Sequence, residues 1–247
     1  MKIGFFDTGL GGTTIFKKAI EEINAEFIYL ADNLCAPYGT KELDAVRNLT
    51  ENNMKKLLEL GCEIIVIACN TATSAAISYL REKYPNIIFI GTEPAIKPAV
   101  ENINNQKIIL TATTLTLKGS KLENLLNNLN IKEKVTFLPL DKLVEYSDFY
   151  EKIEYNLARE YLENEFSKLA LDEYSGIVLG CTHFPIFKNE IRKILPNTIE
   201  IYDSSEGVVK NLKTKIAGIE FPEKSVELVL TKEDSNFRKK FFDMIEI

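Results

Sequence analysis

A chain of 247 residues with 45% hydrophobic and 27% charged residues has enough apolar material for one large α/β domain or two smaller ones, and that balance excludes long disordered stretches. Its net charge of −6, with no run of Lys/Arg interleaved with aromatics, excludes nucleic acid as an expected partner, because displacing phosphate counterions needs a basic face. No apolar run approaches the ~18–20 residues that span a bilayer, and Asp7 interrupts the first apolar stretch too early for a signal-peptide core, so no membrane association and a cytoplasmic location are expected.

In chain order, β-type runs at 3–6 and 27–30 enclose a helical pattern in which Ile15, Phe16, Ala19, Ile20 and Ile23 share a face. A helix is predicted over 43–60, with Gly61 as its stop. A strand at 64–68 follows, then a helix from near Thr73 that Tyr84-Pro85 ends, then a strand at 87–90. Further strands are predicted at 108–110, 135–138, 177–179 and 199–202, and the C-terminal part adds 226–230 and a last helix over 236–245. Runs such as Ile64-Ile65-Val66-Ile67 are apolar on both faces, as buried parallel strands are. The alternation predicts an α/β fold of mostly parallel sheet flanked by helices.

An internal echo points to two such units. Ile64-Ile65-Val66-Ile67-Ala68-Cys69-Asn70-Thr71 parallels Gly176-Ile177-Val178-Leu179-Gly180-Cys181-Thr182-His183, and Lys2 to Thr8 parallels Lys107 to Thr113. Each long match is an apolar strand, a small residue, a cysteine, then polar residues expected to open a helix.

Ligands of open α/β sheets bind at the carboxyl ends of strands, where helix N-termini present free N–H groups. Asp7-Thr8-Gly9, Cys69-Asn70-Thr71, Cys181-Thr182-His183 and the loop Pro37-Tyr38-Gly39-Thr40 fall at such ends. A thiol at a helix N-terminus gains thiolate character and suits acid/base work, and His183 is placed to support Cys181. Either cysteine alone reads more readily as a small buried hydrophobe; two in matched contexts read as chemistry. Cys35 and Cys62 keep the packing role. With one histidine and no C-x-x-C pair, neither a metal site nor a disulfide is expected. The turn Gly9-Leu10-Gly11-Gly12-Thr13-Thr14, with Asp32 after the next strand, has the outline of a dinucleotide loop. It lacks the third glycine and the P-loop lysine, so no nucleotide cofactor is expected.

Together these residues resemble the glutamate racemases of the aspartate/glutamate racemase superfamily, nearly end to end. The resemblance is carried by Phe6-Asp7-Thr8-Gly9-Leu10-Gly11-Gly12, Pro37-Tyr38-Gly39-Thr40-Lys41, Ala68-Cys69-Asn70-Thr71-Ala72 and Leu179-Gly180-Cys181-Thr182-His183-Phe184-Pro185. Weaker matches are Gly91-Thr92-Glu93-Pro94, Thr113 to Thr116, Leu143-Val144-Glu145 and Asp203-Ser204. The resemblance implies two pseudo-symmetric α/β domains with the substrate between them, residues 1–93 completed by 205–247, and residues 94–204. It implies catalysis without pyridoxal phosphate, metal or other cofactor, and a homodimer whose interface no sequence feature fixes. Residue by residue, it implies that Cys69 takes the α-proton of D-glutamate and Cys181 that of L-glutamate. Asp7 would hold the substrate ammonium with Thr8 beside it. Asn70, Thr71 and Thr182 would bind the α-carboxylate, Tyr38 and Gly39 would line the pocket, and His183 and Glu145 would assist. Two departures stand out: Thr8 replaces the usual serine, and Cys35 stands where an arginine is usual.

Two other readings fit the same motifs. One is an aspartate racemase or a related two-cysteine isomerase, since one methylene of side chain is worth only ~1–3 kcal/mol in a pocket. The other is a non-catalytic amino-acid-binding protein that retains the site.

Overall fold

The computed structural model describes residues 1–101, 106–221 and 223–246. In chain order it runs β1 (Lys2–Asp7), α1 (Thr13–Glu22), β2 (Glu26–Ala31), α2 (Leu43–Glu59), β3 (Cys62–Ile67), α3 (Asn70–Lys83), β4 (Ile88–Gly91), α4 (Ile96–Glu101) and β5 (Lys107–Ala112). It continues through α5 (Thr114–Leu117), α6 (Ser120–Asn128), β6 (Val135–Pro139), α7 (Lys142–Asp148), α8 (Tyr155–Phe166), β7 (Tyr174–Leu179), α9 (Lys188–Ile194) and β8 (Glu200–Asp203). The last elements are α10 (Ser205–Lys215), β9 (Ser225–Leu230) and α11 (Ser235–Ile245). No helix among the described residues is long and apolar enough to cross a membrane.

The chain forms two compact units, Met1–Glu93 with Ser205–Ile247, and Pro94–Ser204. The first is built on a sheet of order β4-β3-β1-β2-β9, the second on a sheet of order β6-β5-β7-β8. Every pairing in both sheets is parallel. Strands so enclosed must be apolar on both faces. In β1, Phe5 packs against Phe16 of α1 and Phe27, and Phe16 and Tyr29 carry this aromatic cluster on to Phe241 of α11. Its neighbour Phe6 points the other way, into the core that holds Tyr38, Val46, Met54 and Ile67. The second sheet likewise separates two cores, Ile109 and Ile177 on one side, Ile108, Leu110 and Val178 on the other.

The echo in the sequence is an echo in the fold. In the first unit β1 lies between β2 and β3, and in the second β5 lies between β6 and β7. Each central strand has a register irregularity at the same place, between Lys2 and Ile3 against β3 and between Lys107 and Ile108 against β7. Past the strand ends, Ala68 N–H donates to Phe6 O at 2.8 Å and Gly180 N–H donates to Thr111 O at 2.7 Å. The next residues are Cys69 and Cys181. Both thiols therefore leave their sheets at the carboxyl edge, two residues beyond the end of the strand beside the central one.

One polar cluster fixes α3, the helix that begins after Cys69. Glu51 on α2 accepts hydrogen bonds from Tyr79 Oη at 2.7 Å, Lys83 Nζ at 2.7 Å and Tyr84 Oη at 3.1 Å. These donors hold its carboxyl at about 2, below the ordinary 4.5, with the Lys83 hydrogen bond the largest cause. A depressed folded-state value means that the contribution to stability is complete above pH 4.5 and is lost as pH falls toward about 2. Glu51→Gln is expected to cost ~1–3 kcal/mol at pH 7, measured as a lower urea midpoint at unchanged slope. Below pH ~3 the difference from wild type should shrink.

Candidate functional site

One candidate cluster lies at the carboxyl edge of the first sheet. Asp7 ends β1 fully buried, and its Oδ1 accepts the N–H of Gly9 at 3.1 Å. Thr8 is buried beside it. The glycine turn that follows packs against its own sheet. A Cβ at Gly12 would lie 2.7 Å from Tyr29 Oη, 2.9 Å from Ala68 Cβ and 3.0 Å from Asp7 Cβ, so only glycine lets α1 begin this close to Asp7. Tyr29 Oη donates to Gly9 O at 2.8 Å, and Leu10 is fully buried.

Cys69 is the N-cap of α3, with extended backbone (φ −59°, ψ 117°), and its Sγ accepts from Ala72 N–H at 3.5 Å. A sulfur in the place usually held by a hydroxyl or carboxylate thus faces the free N–H groups of a 14-residue helix whose first turn has no acidic side chain. Asn70 and Thr71 occupy the first two helical positions and are nearly buried. Asn70 Nδ2 points to Thr92 O at 3.5 Å, while Asn70 Oδ1 and Thr92 Oγ1 are buried without a hydrogen-bond partner. Natural proteins rarely leave such atoms unused, and here they sit beside the thiol.

The loop after β2 carries Tyr38, buried, and Gly39, half-buried. Burial and a 2.6 Å hydrogen bond to Asp32 Oδ2 raise the Tyr38 phenol well above its ordinary value, so it stays a neutral donor. Cys62 is a core thiol as its position suggested, pushed up to about 12 by burial. Cys35 is half-buried near Asp32; burial first, and then the Asp32 charge, raises its thiol.

The cluster at the carboxyl edge of the second sheet is built differently. The expected helix after Cys181 is absent: residues 184–187 form a single 3-10 turn, and α9 begins only at Lys188. Pro185 occupies an early position of that turn, and the residue before a proline is biased away from the α region. The thiol has a side chain where Cys69 has helix amides. Cys181 Sγ lies 3.7 Å from His183 Nδ1, and His183 Nε2 lies 3.0 Å from Asp148 Oδ2, both side chains of the latter pair being 4% exposed. Asp148 Oδ1 accepts from Ser147 Oγ at 3.1 Å, so both carboxylate oxygens are held. Burial, the largest single influence, opposes charge on the imidazole, but the charge and hydrogen bond of Asp148, with those of Cys181 after them, together lift His183 well above 6.5. The Asp148 carboxylate favours the imidazolium form of His183, in which one N–H faces Asp148 and the other faces sulfur. Thr182 is buried between the two.

Glu145, the assisting carboxylate inferred from sequence, is exposed, and the group on His183 is Asp148. The physical reason is helical phase. On α7 the buried positions are Leu143, Val144 and Ser147, and Asp148 continues that stripe four residues after Val144, whereas Glu145 lies off it. The same periodicity would have found Asp148 in the sequence. Among the described residues no group of three or more His, Cys, Asp or Glu is placed to hold a metal ion.

The profile described as Asp/Glu/Hydantoin racemase matches residues 13–212, a span that includes both thiols, His183 and Asp148. The chain belongs to the Asp/Glu/Hydantoin racemase family. This member is an isomerase acting on amino acids, and its curated relatives are glutamate racemases. It is 46% identical to the glutamate racemase of Clostridium acetobutylicum over 87% of this chain and 83% of that one. It is 40% identical to that of Halothermothrix orenii over 100% of this chain and 99% of the relative. Among solved structures it is similar to glutamate racemase from Francisella tularensis in complex with D-glutamate, with a TM-score of 0.81 and 25% identity over 100% of this chain and 94% of that one. Each of the two units carries one of these thiols, and the two are supported by unlike devices.

Proposed function

We propose that the protein interconverts L- and D-glutamate by two-thiol acid/base catalysis in the cytoplasm, and so supplies D-glutamate for peptidoglycan. The observation that carries this reading is the placement of Cys69 and Cys181 at equivalent exits of two equivalent sheets, in a chain 46% identical to a glutamate racemase.

Racemisation needs a base on one face of the α-carbon and an acid on the other. With L-glutamate, the Cys181 thiolate takes the α-proton and becomes a thiol, and the Cys69 thiol gives its proton to the opposite face and becomes a thiolate. The product leaves with the two protonation states exchanged, ready for D-glutamate. Each sulfur must reach within ~3–3.5 Å of the same carbon for the transfer to be a positioned event. The α-proton of an amino-acid anion is very weakly acidic, so donors must neutralise the carboxylate as negative charge builds, with water excluded. Thr71, Thr182 and the α3 amides are the donors suited to that task. Asn70 joins them if its side-chain amide turns to present Nδ2 where its unused Oδ1 now sits. Asp7 would hold the ammonium with Thr8 beside it, and Tyr38 and Gly39 would close the pocket. The reaction requires no group beyond these side chains and amides.

The test is incubation of pure protein with L-glutamate in D2O without added cofactor. Optical rotation should decay to zero as one α-deuterium enters each molecule that inverts. L-aspartate run in parallel should react far more slowly. An absence of exchange with glutamate in protein that is folded and reduced overturns the proposal, and faster turnover of aspartate reassigns the substrate.

A further inference from the structure

Asp32 is a buried carboxylate, 2% exposed, that neither the two-thiol chemistry nor substrate contact uses. Three side chains from distant parts of the first unit converge on it. Its Oδ2 accepts from Tyr38 Oη at 2.6 Å and from Asn53 Nδ2 of α2 at 3.0 Å, and its Oδ1 accepts from Thr231 Oγ1, just after β9, at 2.7 Å. Its main chain is engaged as well: Asp32 N–H donates to Asp7 O at 3.0 Å, and Asp32 O accepts from Cys35 and Ala36 N–H. The C-terminal segment grips the same loop a second time. Asn33 Nδ2 donates to Lys232 O at 2.7 Å, and Lys232 N–H donates back to Asn33 Oδ1 at 3.1 Å.

We infer that Asp32 is a positioning residue for the substrate pocket: it sets the Tyr38–Gly39 loop against Asp7, and the C-terminal segment after β9 acts on substrate affinity through it. This rests on the racemase reading above. The chemistry asks for an aspartate. A carboxylate offers only acceptors, and Tyr38, Asn53 and Thr231 all bring donors. Asparagine would turn an N–H2 toward at least one of them, so that a hydroxyl must give up donating in order to accept, and would remove the charge that strengthens all three bonds. A loop that grips substrate equally in the ground and transition states contributes uniform binding, so its loosening raises KM and spares kcat.

The experiment compares wild type with Asp32→Asn, Thr231→Val and Thr231→Ser, first establishing that wild type exchanges the α-proton. Asp32→Asn should raise KM for L-glutamate at least 10-fold with kcat within 3-fold. Thr231→Val should raise KM about 3- to 10-fold, and Thr231→Ser, which keeps the hydroxyl, should restore it. A readout without turnover runs beside these: trypsin cleavage after Lys41, at the end of the loop, should accelerate about 10-fold in Asp32→Asn and in Thr231→Val, by more than any fall in their urea midpoints accounts for. If Asp32→Asn does not fold, Thr231→Val carries the decision. Unchanged KM and unchanged cleavage in Thr231→Val, or kcat falling in step with stability, overturns the inference. A wild type that fails to exchange the α-proton removes the racemase reading, and the loop-setting role of Asp32 is then judged on cleavage alone.

Discussion

Cys69→Ala and Cys181→Ala are each expected to lower racemisation at least ~10³-fold, because in the proposed mechanism each removes the group that moves a proton on one face of the α-carbon. The two losses should differ in kind. Cys69→Ala keeps Cys181 with its imidazolium, so L-glutamate should still exchange its α-hydrogen slowly with D2O and return to L-glutamate, without inversion. Cys181→Ala should do the converse with D-glutamate. Mass spectrometry of each enantiomer after chiral separation reads both outcomes. A single-cysteine variant that inverts glutamate near the wild-type rate would remove the two-thiol mechanism.

Much of this was legible in the sequence, because apolar periodicity and strand-end chemistry are local properties. The run Ile64-Ile65-Val66-Ile67 is buried on both faces of β3, as its composition requires. The match between 64–71 and 176–183 corresponds to two strands in equivalent places with equivalent hydrogen bonds to the central strand. What failed to transfer was the inference from repeat to detail. Equal strands did not guarantee equal helices, since Pro185 turns the segment after Cys181 into a short 3-10 turn, while Asn70-Thr71-Ala72 runs straight into α3. Asp32 was legible as a carboxylate at a strand end, but its partners at 53 and 231 are distant in sequence and visible only once the sheet is assembled. Gly12 looked like half of a nucleotide motif; its neighbours Tyr29, Ala68 and Asp7 show a packing need instead.

Asp148→Asn tests the support of Cys181. In the wild type the carboxylate keeps His183 charged against the cost of burial, so the charged pair contributes stability that is complete below 6.5 and is lost only as pH rises through the elevated folded-state value. Without it, burial dominates, and the imidazole is expected to be neutral over the neutral range. The sulfur then loses a cationic donor for the negative charge it carries as a base. We expect kcat/KM to fall ~10²- to 10³-fold. The fall must be the same for L- and D-glutamate, because the enantiomers have equal free energies and, in the proposed mechanism, both directions use both thiols. Glu145→Gln, on the exposed side of α7, should change it less than 2-fold. The chain has one histidine, so its ring protons report the state directly by NMR. In wild type they should show the imidazolium shift unchanged from pH 5 to 8, and in Asp148→Asn the neutral shift through most of that range. If Asp148→Asn keeps the imidazolium and the activity, the charge on His183 has another source and the assignment of Asp148 falls. If Glu145→Gln causes the loss instead, the exposed carboxylate must turn inward in the working enzyme, and α7 must then change its phase to bring it there.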